Sequence, residues 1–218
     1  MSESLLACDC SNRWSCLGLA VDGEVRGALN LDLGRGQAAQ LPLMVEKLLS
    51  GEGLKLSDLS VLAVTTGPGY FTGIRIGMAY VAALAYALGI EVVPISSLEV
   101  VLRSFPDWNS GLKAPLIAAS REAVFSSAWL DGRPVLEEKE RTREELLDAL
   151  KPFSSDFRLC SVRDKRLFAA SSCEGVIFAE HPDGAAAALS AWEKRHLRIK
   201  PNMLRARYLR EPGLGRSL

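Results

Sequence analysis

The sequence predicts an α/β protein built as two related lobes. Three observations carry the prediction. Each half opens with short strands joined in a hairpin, and each then alternates strands with helices. Between the halves, residues 104–115 hold two prolines, a glycine and an Asn-Ser pair, the composition of a linker or long loop. The lobes are expected to span residues 1–104 and 105–218. The length of 218 residues suits one large domain or two small ones that share a junction.

In the first half, residues 5–10, 16–21 and 24–31 are short apolar or alternating runs, and Asp22-Gly23 is a strong hairpin turn between the last two. Leu41, Val45, Leu48 and Leu49 then recur at helical spacing until Gly51 and Gly53 stop the helix. Ser57-Asp58 begins a turn, 61–65 is a β-branched strand, and 66–73 is a glycine-rich loop. An Ala-rich helix over 74–88 is capped by Gly89. A strand at 91–95 leads to a helix that starts at Ser96 or Ser97 and runs to about Arg103.

In the second half, 116–119, 124–130 and 134–138 read as strands, with Asp131-Gly132 turning between the last two. Thr142 with Glu145 three residues on is a capping box for a helix to Leu150. Strands are expected at 159–162 and 175–179, and Asp183 caps an Ala-rich helix over 184–195.

Composition narrows the function. Basic and acidic residues number 26 each, 48% of residues are hydrophobic and 24% are charged, which excludes a disordered, collagenous or coiled-coil chain. Zero net charge argues against a protein that coats nucleic acid by itself, because phosphate binding leans on excess Lys and Arg. Residues 1–4 precede only four apolar residues before Asp9, too few for a signal peptide. The apolar run 76–90 is short for a membrane span and holds Gly89, so a buried helix is expected. The cysteines are Cys8, Cys10, Cys16, Cys160 and Cys173, an odd set without CxxC spacing, which fits a reducing cytoplasm. Cys8 and Cys10 share one strand face and are expected as small core residues rather than metal ligands.

Candidate chemistry is sparse. The run Thr66-Gly67-Pro68-Gly69-Tyr70-Phe71-Thr72-Gly73 follows a strand and opens a helix, where backbone N–H groups can cradle an anion. Ile74 stands where a Walker lysine would be, and Thr72 occupies the third glycine position of a dinucleotide fingerprint. Local physics favours glycines that serve a tight turn and close helix–sheet packing. Asp9 and Ser11 close the first strand. They could hold a metal–phosphate group, although a turn in which they bond nearby amides is the simpler reading. Asp9, Ser11, Gly67, Gly69 and Thr72 are therefore the candidate nucleotide contacts. His181 and His196 have no partner at metal-ligand spacing and are expected on the surface. No serine sits in a nucleophile elbow. This chain is expected to carry no catalytic residue and no metal.

The C-terminal stretch from Lys194 to Arg216 holds eight basic residues against one acid, Glu211. Arg198, Lys200, Arg205 and Arg207 are candidate RNA contacts. A tail that offsets acids elsewhere in the chain explains the same residues equally well.

The long block Gly67-Pro68-Gly69-Tyr70-Phe71-Thr72-Gly73-Ile74-Arg75-Ile76-Gly77 resembles the GPGSFTGxRIG signature of the TsaB (YeaZ) family, with Tyr70 in place of the usual serine. Leu6-Ala7-Cys8-Asp9-Cys10-Ser11, Leu56-Ser57-Asp58-Leu59, Ala87-Leu88-Gly89-Ile90 and Ser96-Ser97-Leu98-Glu99 support it, as does Tyr208-Leu209-Arg210. The match is good to about residue 100 and thin beyond.

The resemblance implies two actin-like ATPase (ribonuclease H-like) lobes with mixed sheets flanked by helices. It implies a non-catalytic subunit for threonylcarbamoylation of a tRNA adenosine, acting as scaffold and activator of the catalytic TsaD. A TsaE-like ATPase would join, tRNA would be met within the complex, and ATP and a metal ion would sit on the partner subunits. Alone, the chain would form a homodimer. TsaD holds its metal with two histidines four apart, and the aligned residues here are Ser97 and Val101, a poor ligand and a non-ligand. The second lobe's usual acidic turn is Ala118-Ala119-Ser120-Arg121 here, which weakens nucleotide binding.

The expected partner interface is formed by helices 38–49 and 74–88: Leu41, Met44, Val45, Lys47, Leu48, Ile74, Met78, Val81, Ala82, Ala85 and Tyr86. Of these, Met44, Lys47, Met78 and Tyr86 are expected on faces left over after packing on the sheet. An independent nucleotide hydrolase or peptidase of the same superfamily is the alternative.

Overall fold

Strand β1 (Ser4–Asp9) is buried along its whole length, because it lies mid-sheet with helices on both faces. It pairs antiparallel with β2 (Trp14–Val21), which pairs with β3 (Glu24–Asp32). On its other side β1 runs parallel to β4 (Val61–Thr65), which runs parallel to β5 (Glu91–Ile95). The computed structural model describes residues 2–164, 167 and 175–209.

A second sheet repeats the pattern. β6 (Leu112–Ala118), β7 (Ala123–Leu130) and β8 (Arg133–Thr142) form the antiparallel meander, and β9 (Phe157–Val162) and β10 (Val176–Ala179) add the parallel strands. The orders are β3-β2-β1-β4-β5 and β10-β9-β6-β7-β8, the same arrangement twice. Both hairpin turns are Asp-Gly pairs with positive φ, 51° and 90° at Asp22-Gly23 and 47° and 76° at Asp131-Gly132, the type I′ geometry that matches strand twist.

Helices α1 (Gln37–Gly51) and α2 (Phe71–Leu88) cover one face of the first sheet, and α4 (Arg143–Leu150) covers a face of the second. Among the described residues two further helices are exchanged. α3 (Ser97–Arg103) follows β5 but packs on β6 and β9, whereas α5 (Gly184–Glu193) follows β10 but packs on β1, β2 and β3. They touch each other between the sheets. Buried Glu99 of α3 ties them together, accepting from Ser190 Oγ (2.9 Å) and pairing with Arg103 (3.1 Å) and Lys194.

Several expectations shift. Helix α2 starts at Phe71, three residues before the apolar pattern begins, and at 18 residues it is long and apolar enough by length and composition to cross a membrane. Its Gly73, Ile74, Gly77, Val81 and Ala85 are nevertheless buried in the chain's own packing. The expected linker 104–115 is shorter than its composition suggests. Its last four residues are the start of β6, a central strand. Pro115 sits where the β6–β7 pairing is interrupted, between Lys113 and Leu116. Strand β8 runs to Thr142, and the capping box then forms as read, Thr142 Oγ1 accepting from the Glu145 N–H (3.2 Å) and Glu145 Oε2 from the Thr142 N–H (2.8 Å). Helix α5 ends at Glu193 rather than 195. His181 is half-buried, its ring 4.7 Å from that of Trp14 and its Nδ1 2.8 Å from the Pro182 carbonyl. Cys8, Cys10, Cys16 and Cys160 are free and buried, whereas Cys173 lies outside the described residues.

Candidate functional site

The glycine-rich loop leaves β4 and packs against two neighbours. A Cβ on Gly69 would lie 2.3 Å from the Ser11 carbonyl oxygen, and one on Gly73 would lie 2.1 Å from that of Cys10. On its other flank, a Cβ on Gly67 (φ +124°) would lie 2.6 Å from the Arg207 carbonyl oxygen, and the Arg207 N–H donates to Thr66 O at 2.8 Å. The glycines thus let backbone meet backbone, and the loop is lined by protein where an anion cradle would need free N–H groups. Tyr70 N–H donates to Ser11 O at 2.6 Å. Thr72 stands exposed in the first turn of α2.

Asp9 and Ser11 are both buried. Asp9 Oδ1 accepts from the Ser11 N–H (2.8 Å) and from Thr65 Oγ1 (2.7 Å). The five candidate nucleotide residues therefore lie in one neighbourhood, but the space next to them, walled by Ser11, Asn12, Tyr70, Ala118, Ser161 and Asp164, holds only about 10 Å³, roughly one water.

Burial pushes the Asp9 carboxyl above its ordinary range, against the lowering effect of its hydrogen bonds to Ser11 and Thr65. A raised native pKa means the folded state binds more protons than the unfolded one between the two values. Stability contributed through Asp9 should therefore fall as pH rises through that window. Urea unfolding at stepped pH is expected to show this decline, and Asp9→Asn to flatten it. An identical profile for the variant would assign the slope to other groups.

Ser97 and Val101, aligned with the metal-binding pair of the catalytic relative, do not fit a metal. Both are buried, Val101 within the α3 core cluster, and only Ser97 Oγ has lone pairs to offer. Among the described residues no group of three or more His, Cys, Asp or Glu converges.

The outer faces of α1 and α2 require correction. Leu41, Met44, Val45 and Leu48 of α1 form a single i, i+3, i+4, i+7 stripe buried on the sheet, and Ile74, Val81 and Ala85 of α2 are buried likewise. Met44 in particular is not on a free face, and none of these seven can meet a partner directly. Lys47 and Tyr86 are exposed, Tyr86 at 85%, whereas Met78 and Ala82 are half-buried. Beside Tyr86 the exposed face of α2 is Ala79, Ala83 and Ala87, and α1 adds Leu43 at 57% exposure. Leu43 was missed. It falls off the 41-44-45-48 stripe, and that phase alone identifies it.

The tail cations find partners within the chain. Arg198 pairs with Glu3 and Glu91 (both 3.1 Å), Arg195 with Glu3 (3.2 Å) and Arg207 with Glu138 (3.1 Å). Arg205 Nη1 donates to the Asn202 and Leu204 carbonyls. Lys200 is exposed. The tail is held on the first sheet by the bridge between Ile199 and Val92, and Tyr208 closes it over α2, its ring 5.4 Å from Phe71 and its hydroxyl accepting from Arg75 Nε at 3.0 Å.

A family model described as tRNA N6-adenosine threonylcarbamoyltransferase, TsaD, matches residues 33–129. The tRNA threonylcarbamoyladenosine biosynthesis protein TsaB of Haemophilus influenzae is 32% identical over 56% of this chain and 52% of its own. The Bacillus subtilis protein of the same name is 29% identical over 62% and 58%. The matches thus span about half the length of these curated relatives. Among solved structures, YeaZ from Pseudomonas aeruginosa superposes with a TM-score of 0.80, at 23% identity, over 95% of this chain and all of that one. Twin mixed sheets with exchanged helices and this superposition define the class, a two-lobed protein of the actin-like ATPase fold. Within that class the sequence matches are to TsaB proteins, over about half the length of each.

Proposed function

We propose that this chain takes part in tRNA threonylcarbamoyladenosine biosynthesis as a non-catalytic partner of a TsaD-like transferase. The names of its relatives support the pathway. One observation carries the role: α2 carries a single charge, Arg75, in 18 residues, yet only five of them are fully buried within the chain, and toward its C-terminal end its outward side offers the small residues Ala79, Ala83 and Ala87 around Tyr86. Such a face suits a second helix at close range. Together with Leu43 and Lys47 of α1 it forms a two-helix docking surface for the corresponding pair of the partner. A second copy would use the same surface when the partner is absent.

The partner supplies the metal and the transfer chemistry, and a TsaE-like ATPase supplies ATP turnover. This subunit acts by linkage: by binding the active conformation of TsaD it raises that conformation's population. tRNA is met within the assembly, with exposed Lys200 available to phosphate among the described tail residues.

Reconstitution tests the role. Mixtures of TsaD-like and TsaE-like proteins, ATP, threonylcarbamoyl precursors and tRNA are expected to modify tRNA only when this chain is added, while the chain alone hydrolyses neither ATP nor peptide. Turnover by the isolated chain would replace this reading with the hydrolase or peptidase alternative.

A further inference from the structure

A groove of about 570 Å³ opens where β5 and α3, the β7–β8 hairpin and the tail meet, far roomier than the space beside Tyr70. We propose that it binds a small zwitterion of the α-amino-acid type, bearing one ammonium and one carboxylate, either as a free amino acid or as a short peptide.

Charge balance is the first argument. Three cations, Arg103, Lys194 and Arg207, and three carboxylates, Glu99, Glu137 and Glu138, line the groove. A net anion or net cation would meet as many like charges as opposite ones, whereas a zwitterion matches both sets.

The second argument is a pair built to exchange. Glu138 is nearly buried and Arg207, reaching over from the tail, is 53% exposed. Their closest atoms, Oε2 and Nη1, are 3.1 Å apart, yet Oε2 receives no directed hydrogen bond. A ligand ammonium inserted there gives the carboxylate a directed donor, and the ligand carboxylate takes the guanidinium that is freed. No charge is left unpaired by the exchange. Arg103 and Glu99 cannot do the same, because Ser190, Glu193 and Lys194 already lock them.

The third argument is Ser127. Its hydroxyl is buried in the groove wall without a hydrogen-bond partner, a state that calls for a polar ligand group. Pro94, Trp129 and Leu136 supply apolar surface for the body of the ligand, and the volume lies within the range of small-molecule sites, roughly 300–1,000 Å³.

Calorimetry of the full chain against a panel of amino acids and di- and tripeptides tests the proposal, which stands independently of the partner-docking reading. Saturable binding is expected, weakened at least tenfold by N-acetylation or C-terminal amidation of the ligand and by Arg207→Gln or Glu138→Gln. Arg207→Gln alters an exposed side chain, so it remains informative should Glu138→Gln fold poorly. Binding by free amino acids or by peptides alone would support the site and decide between the two sources. Absence of saturable binding up to about 10 mM, a weak-binding limit, would overturn it. So would affinity indifferent to blocked termini or to Arg207→Gln.

Discussion

Arginine in place of Ala83 should abolish capture of the chain by the TsaD-like partner proposed for it and leave its own unfolding midpoint unchanged. Ala83 lies on the exposed side of α2, one turn from Ala79 and Ala87 and beside Tyr86. Helices approach to about 8 Å only where side chains are this small. An arginine there holds a partner helix off and strands its charge in a desolvated seam. Loss of a central anchor at such a seam costs about 2 kcal/mol or more, some thirtyfold in affinity. Tyr86→Ala removes the large ring beside these alanines, 85% exposed, and should cost a similar amount, whereas Lys139→Ala, exposed on β8, should cost nothing. Pull-down and titration calorimetry with the purified partner read both quantities. Met44→Asp would be a misleading probe, because it buries a charge in the first-lobe core and unfolds the chain before any interface is tested. Retention of full affinity by Ala83→Arg would place the interface elsewhere.

The duplicated sheets were legible because their signals are local. Asp22-Gly23 and Asp131-Gly132 require positive φ, so each hairpin announces itself in two residues. Thr142 and Glu145 announce a helix start in four. The helix exchange was not legible, since nothing within α3 or α5 records which sheet each will cover. It depends on Gly18 and Gly184, far apart in sequence, meeting backbone to backbone. The candidate site was half legible for the same reason. Spacing separates the buried from the free side of α1, but the glycines of the loop report only that something approaches closely. That Ser11, Cys10 and Arg207 are what approaches comes from tertiary structure. The sequence left the tail open between RNA and internal acids because those acids, Glu3, Glu91 and Glu138, are scattered through both halves of the chain.

That glycine contact sets the other large effect. Alanine at an ordinary helical glycine stabilises, and Gly51→Ala, with open space around it at the end of α1, is expected to gain about 0.5–1 kcal/mol. Gly184→Ala should do the opposite. Its Cβ would lie 2.0 Å from the Leu17 carbonyl oxygen and 3.0 Å from the Leu17 nitrogen, while a Cβ on Gly18 would lie 1.9 Å from the Gly184 oxygen. These obstacles are backbone, and β2 is held between β1 and β3, so the strand cannot give. The helix start cannot give either. Gly184 N–H donates to Asn30 Oδ1 (2.9 Å), Ala185 N–H to Asp183 Oδ1 (3.0 Å), and Cys16 Sγ to Pro182 O (3.1 Å). A loss of about 3 kcal/mol, the upper end for overpacking, is expected in urea unfolding. The damage should also travel, since the segment after α5 carries Ile199 to Val92 and Arg207 to Thr66. Faster hydrogen exchange at Arg207 and across residues 66–73 in Gly184→Ala would show that α5 anchors the tail to the glycine loop. Equal and favourable effects of Gly51→Ala and Gly184→Ala would mean that α5 does not seat on β2 at all.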